Sequence, residues 1–105
     1  MDYKVILSDL FICDLQEIVE YLTKVSGSET ASRIGNELLD CALETGRRPF
    51  VGQPVKQRPG ARKLLRHRYL IYYDINEPHK TVEVLRAWHG ARDPKTLRLS
   101  IRDKP

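Results

Sequence analysis

Apolar residues in the first half of the chain recur at intervals of three and four, the spacing that puts side chains on one face of a helix. The first such set is Phe11, Leu15, Ile18 and Leu22. Ser8 or Asp9 can cap this helix at its start, and Gly27 is a natural stop at its end. The pattern therefore predicts an amphipathic helix whose apolar face is buried against another element.

A second amphipathic helix is predicted soon after Gly27. Its apolar stripe consists of Ala31, Ile34, Leu38 and Ala42. Ser26 and Glu29 have the spacing of a capping box, and Ser28 is an alternative N-cap. Gly46 is expected to end the helix. Because so short a turn separates the two helices, we expect them to form an antiparallel hairpin.

Runs of β-forming residues lie on either side of this hairpin. Residues 3–7 (YKVIL) are short, apolar and β-branched, and they predict a first strand. In the last third of the chain, three further runs predict an antiparallel meander. They are residues 61–66 (ARKLLR), 69–75 (YLIYYDI) and 81–88 (TVEVLRAW), with a turn at residues 76–80.

Alternation along these strands assigns their side chains to faces. One face of the middle strand should carry Tyr69, Ile71, Tyr73 and Ile75. The other face should carry Leu70, Tyr72 and Asp74. In the following strand, the same rule puts Arg86 on the face of Val82, Val84 and Trp88.

Two segments are predicted to lie outside helices and the main strands. Residues 47–60 (RRPFVGQPVKQRPG) contain three prolines and two glycines, a density that neither a helix nor a central strand tolerates. They predict an ordered surface loop, with Phe50 and Val51 packed against the core. The basic tail after Pro94 is expected either to add a short strand or to stay loose, and Asp93 and Pro94 should mark the end of the sheet.

The order of elements is strand, helix, helix, loop and three strands, which predicts an α+β fold. In this fold an N-terminal strand and an antiparallel helical hairpin accompany an antiparallel β-meander, with the hairpin on one face and the other face open. The length of 105 residues predicts a single domain over residues 1–105. With 41% hydrophobic and 30% charged residues, the chain should form a packed core.

Composition also argues against several classes of protein. No apolar run approaches the roughly 20 residues that span a bilayer, and residues 1–10 lack the features of a signal peptide. We expect a cytoplasmic protein with no membrane partner. Cys13 and Cys41 are too few and too far apart for a site of paired thiolates, and we expect them to be unpaired, Cys41 beside the apolar stripe and Cys13 on a polar face. No metal and no cofactor is predicted.

Charge is distributed unevenly along the chain. Residues 1–46 contain nine acidic and three basic residues, a net charge of −6, whereas residues 47–105 contain fifteen basic and five acidic residues, a net charge of +10. Partial neutralisation between the two halves is expected, but the excess of positive charge exceeds the negative charge available to cancel it. The second half therefore predicts an acidic partner, which is either nucleic acid or an acidic protein.

The candidate chemistry is a basic cluster on or near the meander. Its members are Arg62, Lys63, Arg66, Arg68, Arg86 and Arg92, with His67 and His89. Alternation puts Arg62 with Arg66 on one face of their strand, and Lys63 with His67 on the other. One interpretation is an anion-binding surface on which Tyr72 and Trp88 stack. In the other, the arginines are solvated and Trp88 belongs to the core.

His89 allows two interpretations of its own. As a histidine in a basic cluster it is a candidate general base. As a histidine that follows a buried strand it is a candidate for a structural hydrogen bond. Phosphate-binding loops, nucleophile elbows and metalloprotease motifs are absent from the sequence.

Residues 69–94 resemble the C-terminal half of the RelE/ParE toxin superfamily, in particular its ParE-like branch. The last strand of that branch typically ends in a run such as ILRVLHGARD, which is VLRAWHGARD at residues 84–93 here. The middle strand typically is YLIFYRV, which is YLIYYDI at residues 69–75 here. An arginine that opens the preceding strand matches Arg62. Asp74 and Trp88 depart from the usual pattern, which has an arginine and a small aliphatic residue there.

The resemblance implies the fold predicted above and a role as the toxin of a type II toxin–antitoxin system, associated with plasmid stabilisation and growth arrest. Its partner would be a cognate antitoxin, acidic and partly disordered when free. A ParE-like toxin inhibits DNA gyrase without a hydrolytic site. Target-binding residues would then be Arg86, His89, Arg92 and Arg98.

In the alternative, RelE-like branch, the protein is a metal-independent endoribonuclease that cuts mRNA on the ribosome. The residues for this chemistry would be Arg62, Arg66, Arg86, His89 and Arg92. RelE-like toxins often use a tyrosine near the C-terminus, and this chain has none after Tyr73. Its tail offers only Lys95, Thr96, Arg98, Ser100, Arg102 and Lys104. The ParE-like branch is therefore favoured, and a plain nucleic-acid-binding module is a third hypothesis.

Overall fold

The computed structural model describes residues 2–92 and 97–99 of the chain. The helices are α1 (Asp9–Ser26) and α2 (Ser28–Glu44). The strands are β1 (Lys4–Leu7), β2 (Gln53–Pro54), β3 (Ala61–Arg66), β4 (Tyr69–Asn76) and β5 (Thr81–His89). The predicted α+β fold, with an N-terminal strand followed by a helical hairpin on a sheet, is confirmed.

All five strands belong to one sheet in the order β1-β5-β4-β3-β2. The predicted meander of β3, β4 and β5 is antiparallel, and β1 adds to its edge in parallel with β5. Parallel pairing needs a long connection between the two strands, and the hairpin together with the rest of the chain provides it. The sheet is therefore mixed rather than purely antiparallel.

The two helices meet at a single residue, Gly27. The α1 helix begins as predicted, because the Ser8 hydroxyl oxygen accepts a hydrogen bond from the Phe11 amide. Gly27 has a φ of 91°, a conformation that side-chain-bearing residues rarely adopt, and it ends α1 and begins α2. No side chain caps α2 there, so the predicted caps at Ser26 and Ser28 are wrong.

The main core lies between the hairpin and the sheet. Phe11 and Leu38 from the helices meet Ile71 and Tyr73 of β4, and all four are fully buried. Tyr69 and Ile75 pack in the same cluster, so the predicted apolar face of β4 is confirmed. Cys41 is buried beside these residues and Cys13 is exposed, as their positions on the helices indicated.

The opposite face of the sheet is not fully open, in contrast to the prediction. Tyr72, Leu85, Trp88 and Leu99 form a second buried cluster there, and Leu70, Val55 and Leu97 pack against it. Leu99 belongs to the tail, so the described residues 97–99 form no strand but cover part of this face. Asp93, Pro94, Lys95, Thr96, Ser100, Arg102 and Lys104 lie outside the described residues.

The pairing of β4 and β5 contains an irregularity that strict alternation does not predict. Tyr72 pairs with Arg86, whereas Tyr73 pairs with Val84, so Leu85 is an extra residue in β5. As a result, Val82 and Val84 pack in the main core, while Trp88 packs in the second cluster in contact with Arg86. The prediction that Arg86 and Trp88 share a face with Val82 and Val84 is therefore wrong.

The loop between α2 and β3 is held by its backbone. The Tyr73 hydroxyl donates to the Pro49 carbonyl at 2.8 Å and accepts from the Gly52 amide at 2.9 Å. A side chain at residue 52 would lie 2.6 Å from that hydroxyl, so the approach requires glycine. Phe50 and Val51 are 51% and 42% exposed. The prediction that they pack against the core is wrong, because backbone contacts position this loop.

Candidate functional site

The basic end of the sheet is the region where β4 begins and β5 ends. We use this name for Arg86, His89, Arg92 and Arg98, the four predicted target-binding residues. The first three lie on or directly after β5. Arg98 reaches the same end because its backbone carbonyl accepts a hydrogen bond from Arg86 Nη1 at 2.7 Å. Tertiary structure thus brings together residues that are separated by up to twelve positions in sequence.

Arg86 is bound to Asp14 of α1 through two parallel hydrogen bonds. Its Nε donates to Oδ2 at 2.6 Å and its Nη2 donates to Oδ1 at 2.9 Å. The two side chains are only 15% and 11% exposed. The hydrogen bond to Asp14 raises the pKa of Arg86 above its ordinary value, and the charges of Asp14 and Glu17 add to this, whereas burial acts in the opposite direction. The guanidinium is therefore a fixed cation inside the fold.

Asp14 also accepts a hydrogen bond from the backbone of β5, at the edge where β1 no longer pairs with it. The β1 strand ends at Leu7, and the Ser8 hydroxyl donates to the Leu85 carbonyl at 2.9 Å. Beyond that point β5 no longer pairs with β1. The Ala87 amide donates to Asp14 Oδ2 at 3.1 Å instead, which satisfies a buried backbone donor.

Sequence reasoning missed Asp14, which is absent from the site residues predicted above. One signal was present. At 100° per residue, Asp14 lies only about 70° from the centre of the apolar stripe of α1, so it borders the buried face. An acidic residue at that border indicates a buried partner of opposite charge.

Trp88 is covered by two guanidinium groups. The Arg92 guanidinium carbon lies 3.9 Å from the centre of the indole ring, and that of Arg86 lies 5.3 Å from it. Trp88 and Tyr72 are each 4% exposed, and burial raises the pKa of Tyr72. The prediction that these two rings are available for stacking on a ligand is therefore wrong, and the interpretation of Trp88 as a core residue is confirmed.

His89 makes a structural hydrogen bond in which its Nδ1 accepts from the Ala91 amide at 3.1 Å. Because Nδ1 is the acceptor, the proton of the neutral ring lies on Nε2. The ring also meets Tyr69 edge to face, with the ring centres 5.3 Å apart. Its position in the turn after β5 is therefore set by two contacts within the protein.

A groove runs between α1 and the basic end. Its first part has a volume of about 330 Å³ and adjoins a second part of about 520 Å³, and both are lined by Tyr21, Tyr69 and His89. Tyr21 and Val25 are 60% and 57% exposed along it. Arg68 and Arg92 contribute positive charge to its lining, whereas Asp14 and Glu17 contribute negative charge to its first part. We call it the α1 groove; it offers apolar contacts beside two arginines.

The remaining predicted residues lie elsewhere. Arg62 donates to the carbonyls of Phe50 and Gly52, at 3.3 and 2.6 Å, and its guanidinium lies over the Phe50 ring. It therefore holds the loop before β3, four residues or roughly 13 Å along the strand from Arg66. Arg66 is exposed and lines a pocket with Glu37 and other acidic residues of α2.

His67 contacts Glu37 of α2, in the turn between β3 and β4, where it adopts a φ of 56°. This contact joins the second helix to the sheet at the same end as His89. Within residues 2–92 and 97–99, no group of three or more His, Cys, Asp or Glu side chains could hold a metal ion. No helix in this described part of the chain is long and apolar enough to cross a membrane.

The chain matches a model of a known protein family. The model of the ParE toxin of the type II toxin–antitoxin system parDE matches residues 5–94, which include every helix and strand described above except the first residue of β1. Comparison with curated protein sequences finds no match.

Among solved structures, the chain is similar to one in the toxin–antitoxin complex RelBE2 of Mycobacterium tuberculosis, with 26% identity and a TM-score of 0.66 over 85% of this chain and 99% of that one. It is also similar to one in the chromosomal ParDE system of P. aeruginosa, with 18% identity and a TM-score of 0.71 over 83% and 95%. A mutant of the E. coli toxin RelE in the free state has 15% identity and a TM-score of 0.63 over 87% and 86%.

Proposed function

The chain belongs to the ParE toxin family of type II toxin–antitoxin systems, and from that premise we propose that it arrests growth by binding DNA gyrase in the cytoplasm. The half-buried His89 and the exposed Arg92 and Arg98 of the basic end would contact an acidic region of the target. Electrostatic complementarity of this kind increases the association rate and selects the partner.

The hydrogen bonds of Arg86 within the protein are the observation that favours gyrase binding over nuclease activity. A metal-free ribonuclease needs a general base, a general acid and cations that converge on the phosphate. Arg86 directs three of its five N–H donors at Asp14 and the Arg98 carbonyl. A cation engaged in this way is suited to holding the fold rather than to following the charge that develops on a phosphate.

The other residues of the nuclease hypothesis support the same conclusion. Arg62 is engaged by the loop carbonyls, far along its strand from the basic end. His89 Nδ1 is occupied by a backbone amide, which leaves only Nε2 for proton transfer. Arg66 lies beyond β4 from His89, two strand spacings or roughly 10 Å away. These groups are not arranged around one reacting atom.

We further propose that a cognate antitoxin neutralises the protein by occupying the α1 groove. The exposed Tyr21 and Val25 offer apolar contacts, while Arg68 and Arg92 would attract acidic side chains. An acidic segment that is disordered when free and folds on binding fits such an elongated surface. An antitoxin in the groove would also cover His89. The antitoxin would in this way block part of the proposed target-binding surface.

The first experiment is pulse-labelling of DNA and protein synthesis in the minutes after the protein is induced. We expect DNA synthesis to fall first, with signs of DNA damage. The variant His89→Gln/Arg92→Ala/Arg98→Ala should remain folded and lose this effect. The matched control is Arg47→Ala/Arg48→Ala, because these exposed arginines lie beside Gly46 at the opposite end of the sheet.

A different outcome would identify the alternative. If protein synthesis collapses first, and primer extension shows messages cut within codons, the protein is a RelE-like nuclease and the gyrase proposal is wrong. If the triple variant is folded and fully toxic, the basic end is not the target-binding surface.

A further inference from the structure

We propose that Arg86 is a positioning residue, oriented by Asp14, that sets the course of the C-terminal segment across the second cluster. The C-terminal segment is defined here as the described residues 90–92 and 97–99. The inference rests on the proposed function, because this segment carries Arg92 and Arg98. Its consequence is that Asp14, an acidic residue of α1, controls how well the target-binding surface binds.

The direction of the Arg86 guanidinium is set by the carboxylate of Asp14. Two parallel hydrogen bonds, at 2.6 and 2.9 Å, fix both the position and the plane of the guanidinium group. Asp14 is itself fixed by the Ala87 amide. The two N–H groups of the third nitrogen, Nη1, are thereby held in the same plane, and Nη1 donates to the Arg98 carbonyl at 2.7 Å.

Contacts of Leu99 and Arg92 also anchor the C-terminal segment. Leu99, one residue later, is buried against Tyr72, Leu85 and Trp88. At the other end of the segment, Arg92 stacks on the Trp88 ring. Trp88 therefore lies under both ends of the segment, and Arg86 contacts both the ring and the segment.

The geometry requires arginine at this position. A guanidinium presents donors in a rigid planar fork, so it can bind a carboxylate on one side and a carbonyl on another. A lysine ammonium is a compact point charge on a flexible stem. We therefore expect Arg86→Lys to keep an ion pair with Asp14 and so keep the fold, but to lose the fixed hydrogen bond to Arg98.

The test uses the fluorescence of Trp88, which is the only tryptophan in the chain. Purified wild-type protein and its variants are compared for emission wavelength, for quenching by acrylamide and for inhibition of gyrase supercoiling. Arg86→Lys and Asp14→Asn should shift the emission to longer wavelength and increase quenching. Inhibition should weaken about tenfold, the effect expected for loss of one charge-assisted hydrogen bond.

Two more variants separate positioning from folding. Leu99→Ser releases the segment without a change at Asp14 or Arg86, and it should reproduce the quenching and the loss of inhibition. Arg47→Lys makes the same change at an exposed arginine and should leave both unchanged. Circular dichroism and thermal melting identify any variant that does not fold, and Asp14→Asn then serves as the test of positioning if Arg86→Lys is such a variant.

Three other results would overturn either the inference about Arg86 or the proposed function. Unchanged quenching in folded Arg86→Lys overturns the inference, because the segment is then held without Arg86. Increased quenching with full inhibition also overturns it, because the course of the segment then has no role in target binding. If wild-type protein does not inhibit gyrase, the proposed function fails, while the quenching comparison still shows whether Arg86 holds the segment.

Discussion

The main core and the second cluster lie on opposite faces of the same two strands, and they differ in what covers them. Two long helices, α1 and α2, cover the main core, and they are joined to each other by a single residue. A short piece of the tail covers the second cluster, attached through Leu99 and the Arg98 carbonyl. We therefore expect neighbouring residues such as Tyr72 and Tyr73 to belong to regions of unequal stability.

This difference indicates a division of tasks between the two faces. The hairpin side holds the fold, whereas the opposite side holds the segment that carries Arg92 and Arg98, two of the proposed target-binding residues. Asp14 and Arg86 connect the two sides, because α1 supplies the carboxylate and the arginine reaches the segment. Regions that bind partners are often drawn from the less stable parts of a fold.

Loss of a large side chain from the main core should have the largest effect. Leu38→Ala removes a fully buried side chain between rigid elements, and we expect a loss of about 4 kcal/mol in the free energy of unfolding because the cavity cannot collapse. Urea denaturation measures it. The control Leu43→Ala, at a 47% exposed position of the same helix, should cost about 0.5 kcal/mol or less. Equal effects would contradict the assignment of the core.

Removal of the carboxylate that connects the two faces should rank second. Asp14→Ala leaves the Arg86 charge and the Ala87 amide without their acceptor, so we expect a loss of about 3 kcal/mol. The double variant Asp14→Ala/Arg86→Met should recover part of that loss, since it also removes the unpaired charge. Additive effects in this double-mutant cycle would show that the pair contributes no coupling.

The same leucine change in the second cluster should have a much smaller effect. Leu99→Ala is expected to cost only about 1 kcal/mol, because the segment can shift to fill the space. Amide hydrogen exchange in β4 and β5 should nevertheless accelerate locally. A loss as large as that of Leu38→Ala would mean that the two faces are equally important for folding.

Ionisation of the buried tyrosines should have the smallest effect on stability near neutral pH. Burial raises the pKa values of Tyr69, Tyr72 and Tyr73 above 10.0. Because the folded protein holds these protons more tightly than the unfolded chain, the stability that they contribute is complete below pH 10.0 and is lost as the pH rises through the folded-state pKa values. The urea concentration at the midpoint of denaturation should therefore decrease as the pH is raised above 10.0.

Adjacent tyrosines on opposite faces refine this test. In a titration followed by ultraviolet absorbance, Tyr72→Phe should remove a phenol that ionises early, through local opening of the second cluster. Tyr73→Phe should remove one that ionises only on global unfolding. If both ionise together, the segment does not open independently of the main core.

Several features of the fold could be predicted from the sequence because each depends on local spacing. The helical stripe that includes Phe11 and the alternation that includes Ile71 predicted the main core, and Gly27 predicted the end of α1. Charge distribution also predicted a basic region in the second half. For the helices and strands, the spacing of apolar side chains directly indicates which face of the element is buried.

The other features depend on contacts between residues far apart in the chain, and only the tertiary structure decided them. The extra residue at Leu85 reversed the faces of β5, because a bulge is set by pairing with β4 and not by the polarity of β5 itself. The ion pair of Asp14 with Arg86 joins residues 72 positions apart. It gives Arg86, which the sequence predicted as a target-binding residue, a role in holding the protein together. A guanidinium has the same sequence signature in either role, so only the structure shows this contact.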